Sequence, residues 1–172
     1  MDNNNMMKYK PMLAYPVSAK PVDYDEMVYI QPKLDGVRCL IQCDNGVVKA
    51  YSRTGKEWKN IEHILFNLEP FFQLNPDAVL DGELYNHDLR DNFEKIISCV
   101  RKTKPTTVHR LESSSLAQFH CYDVIATTRR FDVRNEWIKL NVPRNFCIHH
   151  VETHEVHAEK YAQQLHQLNL KK

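Results

Sequence analysis

The stretch "YIQPKLDGVRCLIQ", residues 29–42, sets a lysine between two apolar runs that read as buried strands. Pro32 fixes the backbone just before Lys33, and Asp35-Gly36 is a turn signal just after it. Lysine is among the residues least often buried without a partner, so one at the lip of a core needs a reason. A hairpin loop in which Lys33, Asp35 and Arg38 are simply solvated is one answer. The other is chemical. A free lysine, with a pKa of about 10.4, is almost wholly charged at neutral pH, and only the neutral amine attacks an electrophile. Partial burial or a nearby cation favours that neutral form. Rigid elements on both sides would present Lys33 at a cleft edge. Arg38, two residues into the next strand, could aim its planar fork at a ribose, a phosphate or a carboxylate.

Outward from this stretch, "MVYIQP" reads as a strand ending at Pro32, and "RCLIQC" as a second. "DNG" at 44–46 is a hairpin turn into "VVKAYSR", because Asn-Gly tolerates the positive φ of a tight hairpin. "NIEHILFNLEPFF" carries Ile61, Ile64, Leu65 and Leu68 at helical spacing, with Asn60 as the cap. "AVLDGELY" is a short strand, and "DNFEKIISCVRK" puts Phe93, Ile96, Ile97 and Val100 on one helix face. "LAQFHCYDVI" and "RNFCIHHVE" are further strands. The tail "AEKYAQQLHQLNL" is helical, with Tyr161, Leu165 and Leu168 facing in. Strand pairs alternating with helices predict an α+β fold, antiparallel sheets with flanking helices.

A chain of 172 residues fits one domain or part of a larger one. With 23 basic against 22 acidic residues the net charge is +1, so any attraction for nucleic acid must come from a local patch. No apolar run is long enough to span a membrane, and "MDNNNMMKYK" lacks the apolar middle of a signal peptide, so no membrane partner is expected. The five cysteines are scattered without a C-x-x-C pair, which suggests reduced thiols inside a cell and speaks against zinc. His149, His150, His154 and His157 invite a metal reading. Adjacent histidines on a strand point to opposite faces, however, and no carboxylate or cysteine completes a site there.

Lys33-x-Asp35-Gly36-x-Arg38 does not stand alone. "SRTG" at 52–55, "LDGELY" at 80–85 and "FHCYDVI" at 119–125 follow in order, and three of the four glycines lie within these motifs. The ordered series resembles the covalent nucleotidyltransferase superfamily of ATP-dependent DNA ligases, RNA ligases and mRNA capping enzymes. "SRTG", "KPMLA" at 10–14 and "FEKIISCVRKTKP" at 93–105 resemble most the small DNA ligases of phages and large DNA viruses, over roughly residues 8–170. The resemblance implies the ligase adenylation fold, ATP and Mg²⁺ as cofactors, and nicked duplex DNA as partner. It also implies an intracellular setting, the host cytoplasm for a phage or virus.

The family's roles carry over residue by residue as what this resemblance implies. Lys33 would attack the α-phosphorus of ATP to leave AMP covalently on its amine. Asp35 and Arg38 would lie near the ribose and the reacting ends. Glu83 would contact the ribose or a hydrated Mg²⁺. Tyr122 would stack on adenine, where most relatives have Phe; Tyr keeps the π face. Arg53 would bind the phosphate at the nick. Gln31, Pro32 and Leu34 flank the lysine and join the nucleotide-binding set, with Gln31-Pro32 in place of the more usual Glu-x pair. Asp123 reads as structural.

The family's later motifs, Glu-Gly followed by two apolar residues, any residue and an Arg, and then a Lys-x-Lys, are not found in order. There is no Glu-Gly, and "KYK" (8–10) and "KTK" (102–104) come too early. Residues 1–172 are therefore expected to be a partial adenylation domain without the oligonucleotide-binding domain. Such a chain could be truncated, one half of a split protein, or dependent on a second chain carrying the missing motifs. Three functions stay open: the adenylation part of a DNA ligase, an RNA-ligase or capping-type nucleotidyltransferase, and a non-catalytic remnant that binds nucleotide or a partner. "SRTG" and "KPMLA" favour the first.

Overall fold

The computed structural model describes residues 9–125 and 128–169. The Asn-rich start with Lys8 of "KYK", and Leu170 to Lys172, lie outside the described residues. In chain order the elements are β1 (Val28–Ile30), β2 (Val37–Asp44), β3 (Val47–Tyr51), α1 (Glu62–Leu74), β4 (Val79–Tyr85), a 3-10 turn (His87–Leu89), α2 (Phe93–Val100), α3 (Thr107–Leu116), β5 (Gln118–Val124), α4 (Phe131–Asn141), β6 (Ile148–His150), β7 (His154–Val156) and α5 (Glu159–Asn169). The chain divides into two compact units: one holds Leu34–His150 and the segment up to Pro11, the other Met12–Lys33 with Val151–Lys172.

The first unit is built on a five-stranded sheet in the order β3-β2-β4-β5-β6. The β2–β3 hairpin closes on Asp44↔Val47, with Asn45 at φ 52° and Gly46 at φ 81°. This is the tight turn that Asn-Gly encodes. β2, β4 and β5 pair antiparallel, and β6 joins β5 in parallel. One face of the sheet carries Cys39, Ile41, Leu80, Leu84, Phe119, Cys121 and Ile148. They form a single core with Ile61, Ile64, Leu68 and Phe72 at α1, Ile96 and Val100 of α2, and Ile138 of α4. Apolar residues at i, i+3 and i+4 on these helices supply the stripe that this face needs.

Two helices escape the periodicity argument. α3 buries only Ser113. A capping box between Thr106 and His109 holds its start, and the Ser113 hydroxyl donates to the Asn60 carbonyl. α4 is mostly polar on the outside and is anchored by Asn135, Ile138 and the Trp137 ring, edge-on to Phe71 at 5.8 Å. Asn60 is not the cap of α1. Ile61 holds that position, without any side-chain capping bond. The Asn60 amide is taken elsewhere, since Nδ2 donates to the Cys99 and His109 carbonyls at 2.9 and 3.1 Å. Asn60 thus ties the start of α1 to α2 and α3.

Asp35-Gly36 makes a bend and not a hairpin, because β1 does not pair with β2. Glycine is required at 36 for space. A Cβ there would meet the Leu84 carbonyl oxygen at 2.3 Å and Glu83 Cγ at 2.8 Å. Gly82 is similar: its Cβ would lie 2.4 Å from the His120 carbonyl oxygen and 2.5 Å from the Phe119 ring.

In the second unit β1 pairs antiparallel with β7, from Val28↔Val156 to Ile30↔His154. α5 lies against β7, and its buried residue is Ala162. Tyr161 and Leu168 are 60% and 56% exposed, so they do not face in as their spacing suggested. A pair of three-residue strands is a narrow shelf, and the helix seats its smallest side chain on it. Tyr161, Leu165 and Leu168 instead line an open groove of about 280 Å³ with Val156 and His157. Among the described residues no helix is long and apolar enough to cross a membrane.

Gly82→Ala should destabilise the protein by roughly 1–3 kcal/mol, the usual penalty of forcing a methyl into filled space. Urea unfolding checks this. A second expectation concerns acid. His120 stacks on His149 at 4.7 Å, and Tyr85 meets it edge-on at 5.2 Å. Burial, with His149 and His87 nearby, lowers its pKa from the usual 6.5 to about 3. The unfolded chain therefore takes up a proton below about pH 6.5 that the folded chain refuses, and stability falls as pH falls through that window. The slope for this one group is at most about 1.4 kcal/mol per pH unit. His63 and His150 are lowered in the same direction, mainly by burial. Urea midpoints at pH 7.5 and 5.0 should differ less in His120→Gln than in the wild type.

Candidate active site

Side chains alternate across a strand, so the face of β2, β4 and β5 opposite the core collects the motif residues. Arg38 stands across from Glu83, and Glu83 across from His120. The register between β4 and β5 shifts at Asp81/Gly82, which leaves Tyr122 as the extra residue of a bulge between Cys121 and Asp123. Such a bulge re-aims one side chain. Here it brings Tyr122 over to Arg38, whose guanidinium carbon lies 5.1 Å from the centre of the tyrosine ring.

The centre of this face is Asp81, which is 6% exposed. Arg38 grips it with both prongs: Nε donates to Oδ1 at 2.6 Å and Nη2 to Oδ2 at 2.5 Å. The Tyr122 hydroxyl is hydrogen-bonded to the same carboxylate. Burial raises the Asp81 pKa above the ordinary carboxylate value; the bonds and charge of Arg38 and the Tyr122 bond pull the other way, and Asp123 opposite adds to the rise. For Arg38 burial is the largest single effect and acts downward, but Asp81, Tyr122 and Glu83 together raise it. The Tyr122 phenol is pushed well up, first by burial and then by Asp81. The indole N–H of Trp58 donates to the Arg38 carbonyl at 3.4 Å, tying down the backbone beneath the guanidinium. Asp123 is held by Arg134 of α4 through two bonds of 2.8 Å, in keeping with a structural part. The Cys39 and Cys121 thiols are buried in the core, and burial pushes both pKa values up.

Of the residues singled out from the sequence, Arg38, Glu83 and Tyr122 share this face. Glu83 is half-buried, with its Cγ against Gly36. Leu34 is half-buried and Asp35 exposed, on the approach to β2. Arg53 is exposed on the turn after β3, at the sheet edge. That turn is set by Gly55 at φ 82°, by Gly55 N–H donating to the Ser52 carbonyl at 2.9 Å and by Lys56 N–H donating to Ser52 Oγ at 3.0 Å. Gln31, Pro32 and Lys33 belong to the second unit, where the Gln31 amide donates to Thr153 Oγ1 at 2.9 Å. Lys33 is exposed.

Sequence reasoning passed over Asp81. The signal was present: a carboxylate inside the apolar strand "AVLDGELY" demands a partner, and its i+2 neighbour Glu83 marks the face. Among the described residues no three His, Cys, Asp or Glu side chains gather to hold a metal. His150 Nε2 sits 3.0 Å from the Val142 carbonyl, and His154 and His157 lie beside Glu152 and Glu155. Glu83 is a single hard oxygen donor. It suits a cation that keeps most of its waters and takes further ligands from substrate phosphates, as Mg²⁺ does.

No curated protein matches the sequence. Among solved structures the chain is similar to one described as "Pmar-Lig_PreS3", at 22% identity and a TM-score of 0.68, covering 92% of this chain and 38% of that one. It is similar to the structure from "DNA binding with a minimal scaffold: Structure-function analysis of Lig E DNA ligases", at 19% identity and a TM-score of 0.68, covering 96% of this chain and 59% of that one. It is also similar to the ATP-dependent DNA ligase of bacteriophage T7 in complex with ATP, at 17% identity and a TM-score of 0.57, covering 81% and 52%. At these identities the likeness is one of fold, and the chain spans 38–59% of the length of these relatives. The sequence itself carries the family. The ATP dependent DNA ligase domain matches residues 11–171, nearly the whole chain, and the protein belongs to that family.

Proposed function

We propose that this chain carries the nucleotide-activating part of an ATP-dependent DNA ligase, with Lys33 as nucleophile. The Lys33 amine, once deprotonated, would form a bond to the α-phosphorus of ATP as the α–β bridging P–O bond breaks and pyrophosphate leaves with that electron pair. The product is AMP joined to Nζ, ready for transfer to the 5′-phosphate of a nick in duplex DNA. The observation that carries the reading is the joint occurrence of Lys33-x-Asp35-Gly36-x-Arg38 in a chain matched to the ligase domain over 11–171, and of Arg38, Glu83 and Tyr122 on one sheet face. Arg38 spends Nε and Nη2 on Asp81, which leaves Nη1 for a ribose or phosphate oxygen. Tyr122, with Arg38 beside its ring, would supply the aromatic surface for adenine. Glu83 would hold hydrated Mg²⁺ or the ribose. Bound Mg²⁺ neutralises phosphate charge, and positioning with charge stabilisation is most of what phosphoryl transfer needs. Gln31, Pro32, Leu34 and Asp35, adjacent to the lysine in sequence, would join the nucleotide-binding set, and exposed Arg53 would meet the nick phosphate.

The setting is that of a small phage or viral ligase acting inside the host cell in DNA replication, repair or recombination. The later motifs would come from further polypeptide or from a second chain.

In the domain reconstituted with the later motifs, Lys33→Arg should abolish AMP transfer, since arginine keeps the charge but stays protonated. Labelled ATP and tryptic mass spectrometry check this, and an AMP adduct on the Lys33→Arg protein would remove Lys33 as nucleophile. Tyr122→Ala should weaken ATP binding by roughly 1–3 kcal/mol, the worth of one base–aromatic stack; unchanged ATP affinity by calorimetry would end that role. Residues 1–172 assayed alone should seal nicked DNA barely or not at all. Two missing cationic partners of the α-phosphate each correspond to a loss of about 10²–10³ in rate. Robust ligation by this polypeptide, or a preference for nicked RNA, would contradict the reading.

A further inference from the structure

We propose that the Tyr122 hydroxyl is a positioning group for Arg38, acting through Asp81. The consequence for adenylylation rests on the ligase reading; the positioning itself does not. Asp81 is a buried carboxylate with room for several donors, and Arg38 supplies only two, both on the same side of the fork. Its neighbour across the strand pair is another carboxylate, Asp123, which Arg134 keeps occupied with both of its oxygens. No further cation pairs with Asp81 among the described residues. The Tyr122 hydroxyl is the further donor to Asp81 beside Arg38. The bulge at Tyr122 gives the ring a second hold on the same arginine, because the guanidinium rests over the ring whose hydroxyl reaches the carboxylate. Carboxylate, guanidinium and phenol form a closed three-membered cluster, in which loss of the hydroxyl loosens the arginine without touching it. A phenylalanine at 122 would keep the π face for a base and lose this function. Tyrosine at this position thus couples the surface that would receive adenine to the orientation of the guanidinium beside it.

The test uses the full chain, labelled with ¹⁵N-arginine, in the wild type and in Tyr122→Phe. Solvent exchange of the Arg38 Nε–H is followed by NMR, with thermal melting recorded for both proteins. Removing one hydrogen bond to a charged group should speed that exchange by about tenfold or more, while the Arg134 Nε–H, bonded to Asp123, stays unchanged. Equal Arg38 exchange in the two proteins overturns the proposal, and so does an equal acceleration at Arg134, which would mean general loosening. Should Tyr122→Phe fail to fold, the wild type decides. A slowly exchanging Tyr122 hydroxyl proton with a cross-peak to the Arg38 Nε–H supports the cluster, and a hydroxyl exchanging like that of an exposed tyrosine refutes it. In single-turnover adenylylation, Tyr122→Phe should lower the maximal rate about tenfold at unchanged KM for ATP. Equal adduct formation by the two proteins would count against the link to adenylylation alone, because the Arg38 exchange still answers for the positioning.

Discussion

The ion pair between Arg38 and Asp81 is the constraint around which the sheet face is organised. A carboxylate at the centre of a five-stranded sheet loses most of its water, and removing an ion's hydration costs several kcal/mol before any partner is counted. Burial pushes the Asp81 pKa up, and the bidentate grip of Arg38 opposes it. Such a pair is weak evidence for stability and better evidence for positional control. It fixes the guanidinium plane, the plane carries the Tyr122 ring, and the bulge in β5 exists where that ring must turn. Two glycines serve the same end from below. Gly36 lets Glu83 lie close beside β2, and Gly82 lets the β5 backbone and the Phe119 ring close over the strand that bears Asp81.

Much of this was legible in the sequence where a local rule carried it. Asn45-Gly46 announced its hairpin, and the apolar spacing of Ile61, Ile64 and Leu68 announced α1. Arg38, Glu83 and Tyr122 lie far apart in the sequence, yet they meet because β2, β4 and β5 are neighbours in the sheet, which only the family resemblance implied. What was not legible depended on long-range pairing. α3 has almost no apolar stripe and is held by a Thr106–His109 box and by Ser113 against Asn60, so periodicity had nothing to find. Asn60 looked like a cap because Asn often is one, but two carbonyls from other helices claimed its amide. Tyr161 and Leu168 had the spacing of an inward face with no broad sheet to receive it. Asp81 was overlooked because the eye rests on Glu83 in the same motif, although the buried carboxylate is the one that sets the geometry.

The chemistry follows from what each group is left free to do. Arg38 is paired along one edge, through Nε and Nη2 with the two oxygens of Asp81. Buried Cys39 and Cys121, with pKa values pushed up, are packing groups and take no part in nucleophilic chemistry. Lys33 is exposed, ahead of β2.

The most direct measurement is a crystal structure of this chain with ATP bound. The account predicts the adenine ring stacked on Tyr122, the Arg38–Asp81 pair intact, and Glu83 facing the ribose or a hydrated cation. A nucleotide bound away from this sheet face, or an Arg38 swung off Asp81 to make room for the base, would contradict it.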